Sequence, residues 1–219
     1  MKDDNSNKII LDLCGGTGSW SKPYKDAGYD VRLITLPDND VRTYEPPENV
    51  YGILAAPPCT MFSDARTNAK TPRDLEGGYE IVEACLRIIR YFQYKTISDQ
   101  QKYSPLKFWA LENPWYGRLK WFLGHPSFTF NPWEFGDAYK KKTAIWGYYN
   151  LPIKTVTDIN SILTQQQQQL HKTNFQPLPK FDYMRSKDIH PEALGKFNRQ
   201  ARRSITPQGF ARAFYKANT

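Results

Sequence analysis

Short apolar runs, each closed by glycine or proline, recur along the first 150 residues of this chain. Residues 8–13 form the first strand of this kind and end in glycines. Residues 29–36 form the second, with Pro37-Asp38-Asn39-Asp40 as a turn after it. A short extended piece is expected near Val41, and Pro46-Pro47 breaks the chain. Residues 50–56, 106–111, 127–130 and 143–149 complete the strands. Between them the apolar spacing turns helical. Residues 19–27 read as a helix closed by Gly28. Ile81, Val82, Cys85, Ile88, Ile89 and Phe92 share one helical face. That helix starts at Thr71-Pro72-Arg73-Asp74, a capping residue with proline in the first turn. The polar residues 95–104 read as a loop, and a last helix opens at Thr206-Pro207-Gln208 with Phe210, Ala213 and Phe214 on one face. Strands separated by helices predict a doubly wound α/β sheet. Beyond Asn150 the alternation is lost, and residues 165–169 are low-complexity glutamine.

Composition narrows the class. The 219 residues are enough for one substantial α/β core. The net charge of +8 is unevenly placed: residues 140–219 hold 14 Lys/Arg against 4 Asp/Glu, whereas residues 1–139 hold 16 against 18. A near-neutral body with a basic last third fits a catalytic domain joined to a polyanion-contacting surface. Solubilisation is the plainer use of such charge. Cys14, Cys59 and Cys85 are odd in number, with no CxxC, and there are three histidines. A disulfide framework and a metal site are both disfavoured, and a reducing, intracellular setting is expected. The polar first seven residues do not resemble a signal peptide, and no apolar run is long enough for a membrane span.

Three strings follow strands and carry the candidate chemistry. In Leu11-Asp12-Leu13-Cys14-Gly15-Gly16-Thr17-Gly18, glycines let the backbone approach a nucleotide-like cofactor before a helix N-terminus. Such turns also serve packing alone, and this one lacks GxGxxG and a Walker lysine. Ala56-Pro57-Pro58-Cys59 holds a thiol after two stiffening prolines. A lone cysteine is usually core, but polar Thr60, Ser63, Asp64 and Arg66 follow, and Arg66 is a candidate to favour the thiolate. Leu111-Glu112-Asn113-Pro114 puts a carboxylate at a strand end, either a structural acid or a catalytic one. Each string should reach the carboxyl edge of a parallel sheet, where open α/β sheets bind ligands. Cys85 reads as core, and Cys14 as packed under the turn.

In this order and at these separations, the strings resemble the cytosine-C5 DNA methyltransferases, most closely the short forms of phages and other viruses. The resemblance covers roughly residues 8 to 150 and includes Lys140-Lys141-Lys142-Thr143-Ala144-Ile145-Trp146, which looks like the family's basic strand motif. It implies a Rossmann-like, S-adenosylmethionine-dependent sheet in residues 1–150. A small basic target-contacting region would follow in residues 151–204, and a helix in residues 205–219 would pack back on the catalytic domain. The cofactor would lie over Asp12, Cys14, Gly15, Gly16 and Gly18, with Thr17, Ser19 and Trp20 as neighbours. Thr35-Leu36-Pro37 stands where the family has its ribose-binding acid, which leaves Asp38 as a substitute; Asp40 would meet the adenine amino group and Pro57 would lie near the cofactor.

By the same resemblance, Cys59 would be the nucleophile, Glu112 the acid, Asn113 its positioning partner, and Ser63 and Arg66 contacts to the flipped nucleotide. Lys142 would keep a basic residue in the anchoring motif where Ala144 replaces the usual arginine. Lys140, Lys141, Arg199, Arg202 and Arg203 are the nucleic-acid candidates. The implied activity is methyl transfer to cytosine C5 in DNA, without metal, inside a cell (the host's cytoplasm if the chain is viral). A catalytically weak or inactive DNA-binding relative, and a cytosine methyltransferase acting on RNA or free nucleotide, are the alternatives. Oligomeric state has no signal here.

Overall fold

Among the described residues, six short strands pair into one mixed sheet: β1 (Ile9–Leu13), β2 (Asp30–Ile34), β3 (Gly52–Ala55), β4 (Phe108–Pro114), β5 (Phe128–Phe130) and β6 (Thr143–Tyr148). The structure, a computed structural model, describes residues 4–64, 66, 69–98, 106–163 and 204–219. The order is β2-β1-β3-β4-β6-β5; the first four strands run parallel, and β6 is antiparallel to both β4 and β5. Helices α1 (Lys22–Asp26), α2 (Leu75–Ser98), α3 (Lys120–Leu123) and α4 (Gln208–Ala217) accompany it. The architecture is α/β and compatible with a Rossmann-like fold. From β1 the chain first goes out to β2 and then crosses to β3 on the other side. The crevice beyond β1 and β3 is therefore a topological switch point.

Strand alternation divides the core between the two faces. Leu11, Leu13, Ile53, Ala55 and Leu111 meet the α2 stripe of Val82, Cys85, Ile88, Ile89 and Phe92. Ile10, Leu54, Phe108, Ala110 and Ile145 face the aromatic residues of α1 and α4. Trp20 and Tyr24 meet Phe210, Phe214 and Tyr215 edge-on or tilted, and Phe210 stacks on Phe130 with centroids 3.9 Å apart. Asn218 and Asn150 exchange hydrogen bonds, which ties the end of α4 to the end of β6.

Several elements differ from expectation for local reasons. α1 starts at Lys22 rather than residue 19, because left-handed residues at 16 and 18 keep the preceding turn non-helical. No strand forms near Val41; the chain there makes turns, and Arg87 of α2 donates to the carbonyls of Val41, Arg42 and Tyr44. Asp74 accepts from the Gly77 amide and α2 begins at Leu75, so Pro72 lies before the cap instead of in the first turn. The helix continues through Ser98 into the polar stretch read as a loop, since nothing there breaks it. β4 is longer than residues 106–111: Glu112, Asn113 and Pro114 stay in the sheet because they pair with Ile145, Ala144 and Thr143. Among the described residues no helix is long and apolar enough to cross a membrane, and no His/Cys/Asp/Glu group is arranged to hold a metal.

Candidate active site

The register aligns Leu13, Ala55 and Leu111 on neighbouring parallel strands, so all three strings reach one rim of the sheet. At its first position the chain turns sharply. Cys14, Gly16 and Gly18 have φ of 57°, 55° and 68°, the left-handed region that glycine enters without steric cost. Gly15 is required for another reason: any Cβ there would collide with the Asp12 carboxylate. Cys14 tolerates the strained backbone while its Sγ lies 3.9 Å from that of Cys85. The contact with Cys14, together with burial, pushes the Cys85 thiol well up, as befits a core residue.

Asp12 is wholly buried under this turn and accepts from the Ser21 hydroxyl at 2.5 Å. Burial pushes its carboxyl up to about 6, against the opposing effect of the Ser21 bond. The folded protein thus holds this proton more tightly than the unfolded chain does. Stability falls as pH rises from about 3.8 to about 6 and is level above. Asp12→Asn, which keeps an acceptor for Ser21, is expected to stabilise the fold above pH 6 by at most about 3 kcal/mol. Thermal melts at pH 7.5 and 4.5 check this: the gain must be the larger at pH 7.5.

Asp12 Oδ1 and Thr17 Oγ1 are buried without a hydrogen-bond partner among the described residues. Ser204 comes over the turn, its Oγ 3.7 Å from where a Gly16 Cβ would sit, and the Thr206 amide donates to Ser19 Oγ at 2.8 Å. A left-handed turn with orphaned polar atoms and a covering segment fits a small polar cofactor. Ser19 holds that covering segment. Trp20 is core: four residues before Tyr24, it faces α4, is buried between Phe210 and Phe214, and its indole N–H makes no hydrogen bond among the described residues.

The thiol loop is braced from three sides. Asn113 Nδ2 donates to the Pro57 carbonyl at 3.0 Å, tying β4 to the chain two residues before Cys59. The Arg73 guanidinium donates to the carbonyls of Met61 and Ser63 at 2.8 and 2.9 Å. Ser63 bridges to Gly117, with flanking bonds from the Arg118 amide to Phe62 O and from the Asp64 amide to Tyr116 O. Phe62 is buried beneath the loop, whereas Cys59 is half-buried and carries no disulfide. Asn113 is therefore a brace for the thiol loop rather than a visible partner of Glu112. Arg66 bonds Thr71 Oγ1 and the Pro72 carbonyl, so its guanidinium serves the following loop.

Glu112 lies two residues beyond Ala110, which aligns with Leu54 and Asp12. Both acids thus share the α1/α4 face. Burial raises the Glu112 pKa, and the Lys141 ammonium partly offsets this. Tyr139 is buried within reach of the Glu112 charge, and its hydroxyl is pushed up by burial and by the charges of Asp137 and Glu112. Lys142 Nζ sits 5.6 Å over the Trp115 ring, and Lys140, two residues before it, is half-buried. Ala144 is buried in the α2-side core opposite Asn113, so an arginine there would enter packed side chains.

Two acids expected at the cofactor stand at the surface. Asp38 is exposed, and Asp40 is held by the backbone and guanidinium of Arg42, whose side-chain hydrogen bonds pull its carboxyl down to about 2. Pro57 is buried at the end of β3. Arg199, Arg202 and Arg203, with most of residues 151–204, lie outside the described residues. Arg73, Tyr139 and Ser204 join the site without a sequence signal for these roles. Arg73 is legible as a helix-start residue only, because its acceptors are backbone carbonyls ten and twelve positions away.

No family model matches the chain, and no curated protein matches it.

Proposed function

We propose that this chain transfers a methyl group from S-adenosylmethionine to C5 of cytosine in DNA. The observation that carries the reading is the Asn113–Pro57 hydrogen bond at a rim shared with the left-handed glycine turn. It holds a thiol-bearing loop against the strand that presents a carboxyl with raised proton affinity.

The turn at residues 14–18, with Asp12 beneath it and Ser204 and Thr206 over it, would hold the cofactor. Bound there, S-adenosylmethionine supplies an electrophilic methyl group. Cytosine C5 is too weak a nucleophile to take it unaided. The Cys59 thiolate adds to C6 and forms an Sγ–C6 bond, while the Glu112 carboxyl gives its proton to N3. The C5=C6 electrons then become available at C5. After methylation, loss of the C5 proton to water re-forms the double bond and expels the Cys59 thiolate, and N3 returns its proton to Glu112. Burial suits Glu112 to this task, since it raises the carboxyl's affinity for the proton that it gives to N3. Extruding the base from a duplex costs a few kcal/mol, which Lys140, Lys141 and Lys142 help offset through phosphate contacts.

The test is labelled-methyl transfer to cytosine-containing DNA, RNA and dCMP. Label at C5 in DNA is the expected result; RNA or dCMP labelling alone would redirect the substrate. A protein that binds the cofactor and labels none of them overturns the reading.

The Lys141 charge gives a finer expectation. Lys141→Met should raise the Glu112 pKa further, because the charge opposing its protonation is gone. The alkaline limb of the pH profile of kcat/KM should therefore move to higher pH, whatever happens to its height. Glu112→Gln, with no titrating acid, should lose that limb together with most activity.

A further inference from the structure

We propose that the segment from Trp115 to Trp121 is a stacking platform for an unpaired stretch of nucleic acid running past the Cys59 loop. The location builds on the proposed function, while the binding itself rests on separate observations. Tyr116 and Trp121 are 64% and 68% exposed, large rings that folding ordinarily covers. The Arg118 guanidinium lies 5.3 Å from the Trp121 ring centroid. Lys120 and Lys142 place their ammonium groups 4.7 and 5.6 Å from that of Trp115. Exposed rings interleaved with cations match a chain of bases joined by phosphates.

The platform is fixed in place. Its backbone pairs with the Cys59 loop through the Ser63–Gly117 bridge and the bonds at Asp64 and Arg118. A strand lying on it passes within a few residues of the thiol. The neighbouring groove on α2, about 540 Å³, sets Glu76, Glu80 and Glu83 beside Leu75, Tyr79 and Phe122, and its carboxylates repel phosphate. The cationic side of the segment is thus the favourable path. Unpaired bases are the matching ligand, because in a duplex the base faces are already stacked on one another and only edges are offered.

A labelled thymine-only single strand and the corresponding thymine–adenine duplex serve as probes, read by fluorescence anisotropy at low and moderate salt. Neither contains cytosine, so the assay is independent of methyl transfer. The wild type is expected to bind the single strand more tightly than the duplex. Trp121→Ala with Tyr116→Ala should weaken single-strand binding about tenfold or more and leave the melting temperature unchanged. Arg118→Gln should weaken it less and flatten the salt dependence. No single-strand binding by the wild type, single-strand affinity indifferent to the rings, or a duplex bound equally well and by the same rings would each overturn the proposal. Ring-dependent binding without cytosine labelling would sink the proposed function and leave the platform standing. Labelling with ring-independent binding would do the reverse.

Discussion

Cys59→Ser is expected to lower methyl transfer by about 10³-fold or more while leaving the fold intact. A serine hydroxyl at neutral pH is a far poorer nucleophile than a thiolate, and no other thiol can replace it. Cys14 lies under the glycine turn against Cys85, and Cys85 is buried on α2 with its proton held tightly. Cys59 is half-exposed on a loop held by Asn113 and Arg73 through backbone carbonyls, so its side chain is not needed for those bonds. The melting temperature should therefore move by no more than a degree or two. A cytosine oligonucleotide carrying fluorine at C5 gives the sharper readout. Fluorine cannot leave as the proton does, so elimination is blocked and the protein stays joined to C6. The wild type should form this adduct with cofactor present, and Cys59→Ser should not. An adduct that survives the substitution would place the nucleophile elsewhere.

Phe210→Ala should produce the largest loss of stability. The ring is wholly buried, stacks on Phe130 at 3.9 Å and meets Trp20, Phe135 and Phe214 at 5.4–5.9 Å. Removing it leaves a cavity among stiff aromatic neighbours that cannot collapse to fill it, at a cost of about 3–5 kcal/mol. For a domain of this size that is a fall of roughly 6–20 °C in Tm. Tyr148→Ala, at a residue 70% exposed, is the control and should change little. A Phe210→Ala protein melting within 2 °C of wild type would contradict the closure of this core by α4. Cofactor affinity should fall as well, because α4 begins just after the segment that bonds to Ser19.

The strands were legible because each is a short apolar run with its own stop signal, and Leu13, Ala55 and Leu111 could be set at one edge from chain order alone. Less was readable where a residue acts through a distant partner. Glu112 and Asn113 looked like the end of β4; they lie within it because β6 reaches that far. Asn113 bonds Pro57 and Arg73 bonds Met61 and Ser63, contacts that no local pattern encodes. Trp20 could have been assigned to the core from its i, i+4 spacing with Tyr24, and Asp40 to Arg42 from their i, i+2 spacing. The exposed rings at 116 and 121 carried no sequence signal, since an apolar residue reads as core until its neighbours are known.

The aromatic cluster joining Trp20 and Tyr24 to Phe210 and Phe214 has a consequence for biosynthesis. Its two halves lie nearly 190 positions apart, so this cluster stays incomplete until residues 210–214 have left the ribosome. A nascent chain stalled before Gln208 would expose the aromatic side chains that α4 buries. Such a species is a natural substrate for chaperones and proteases.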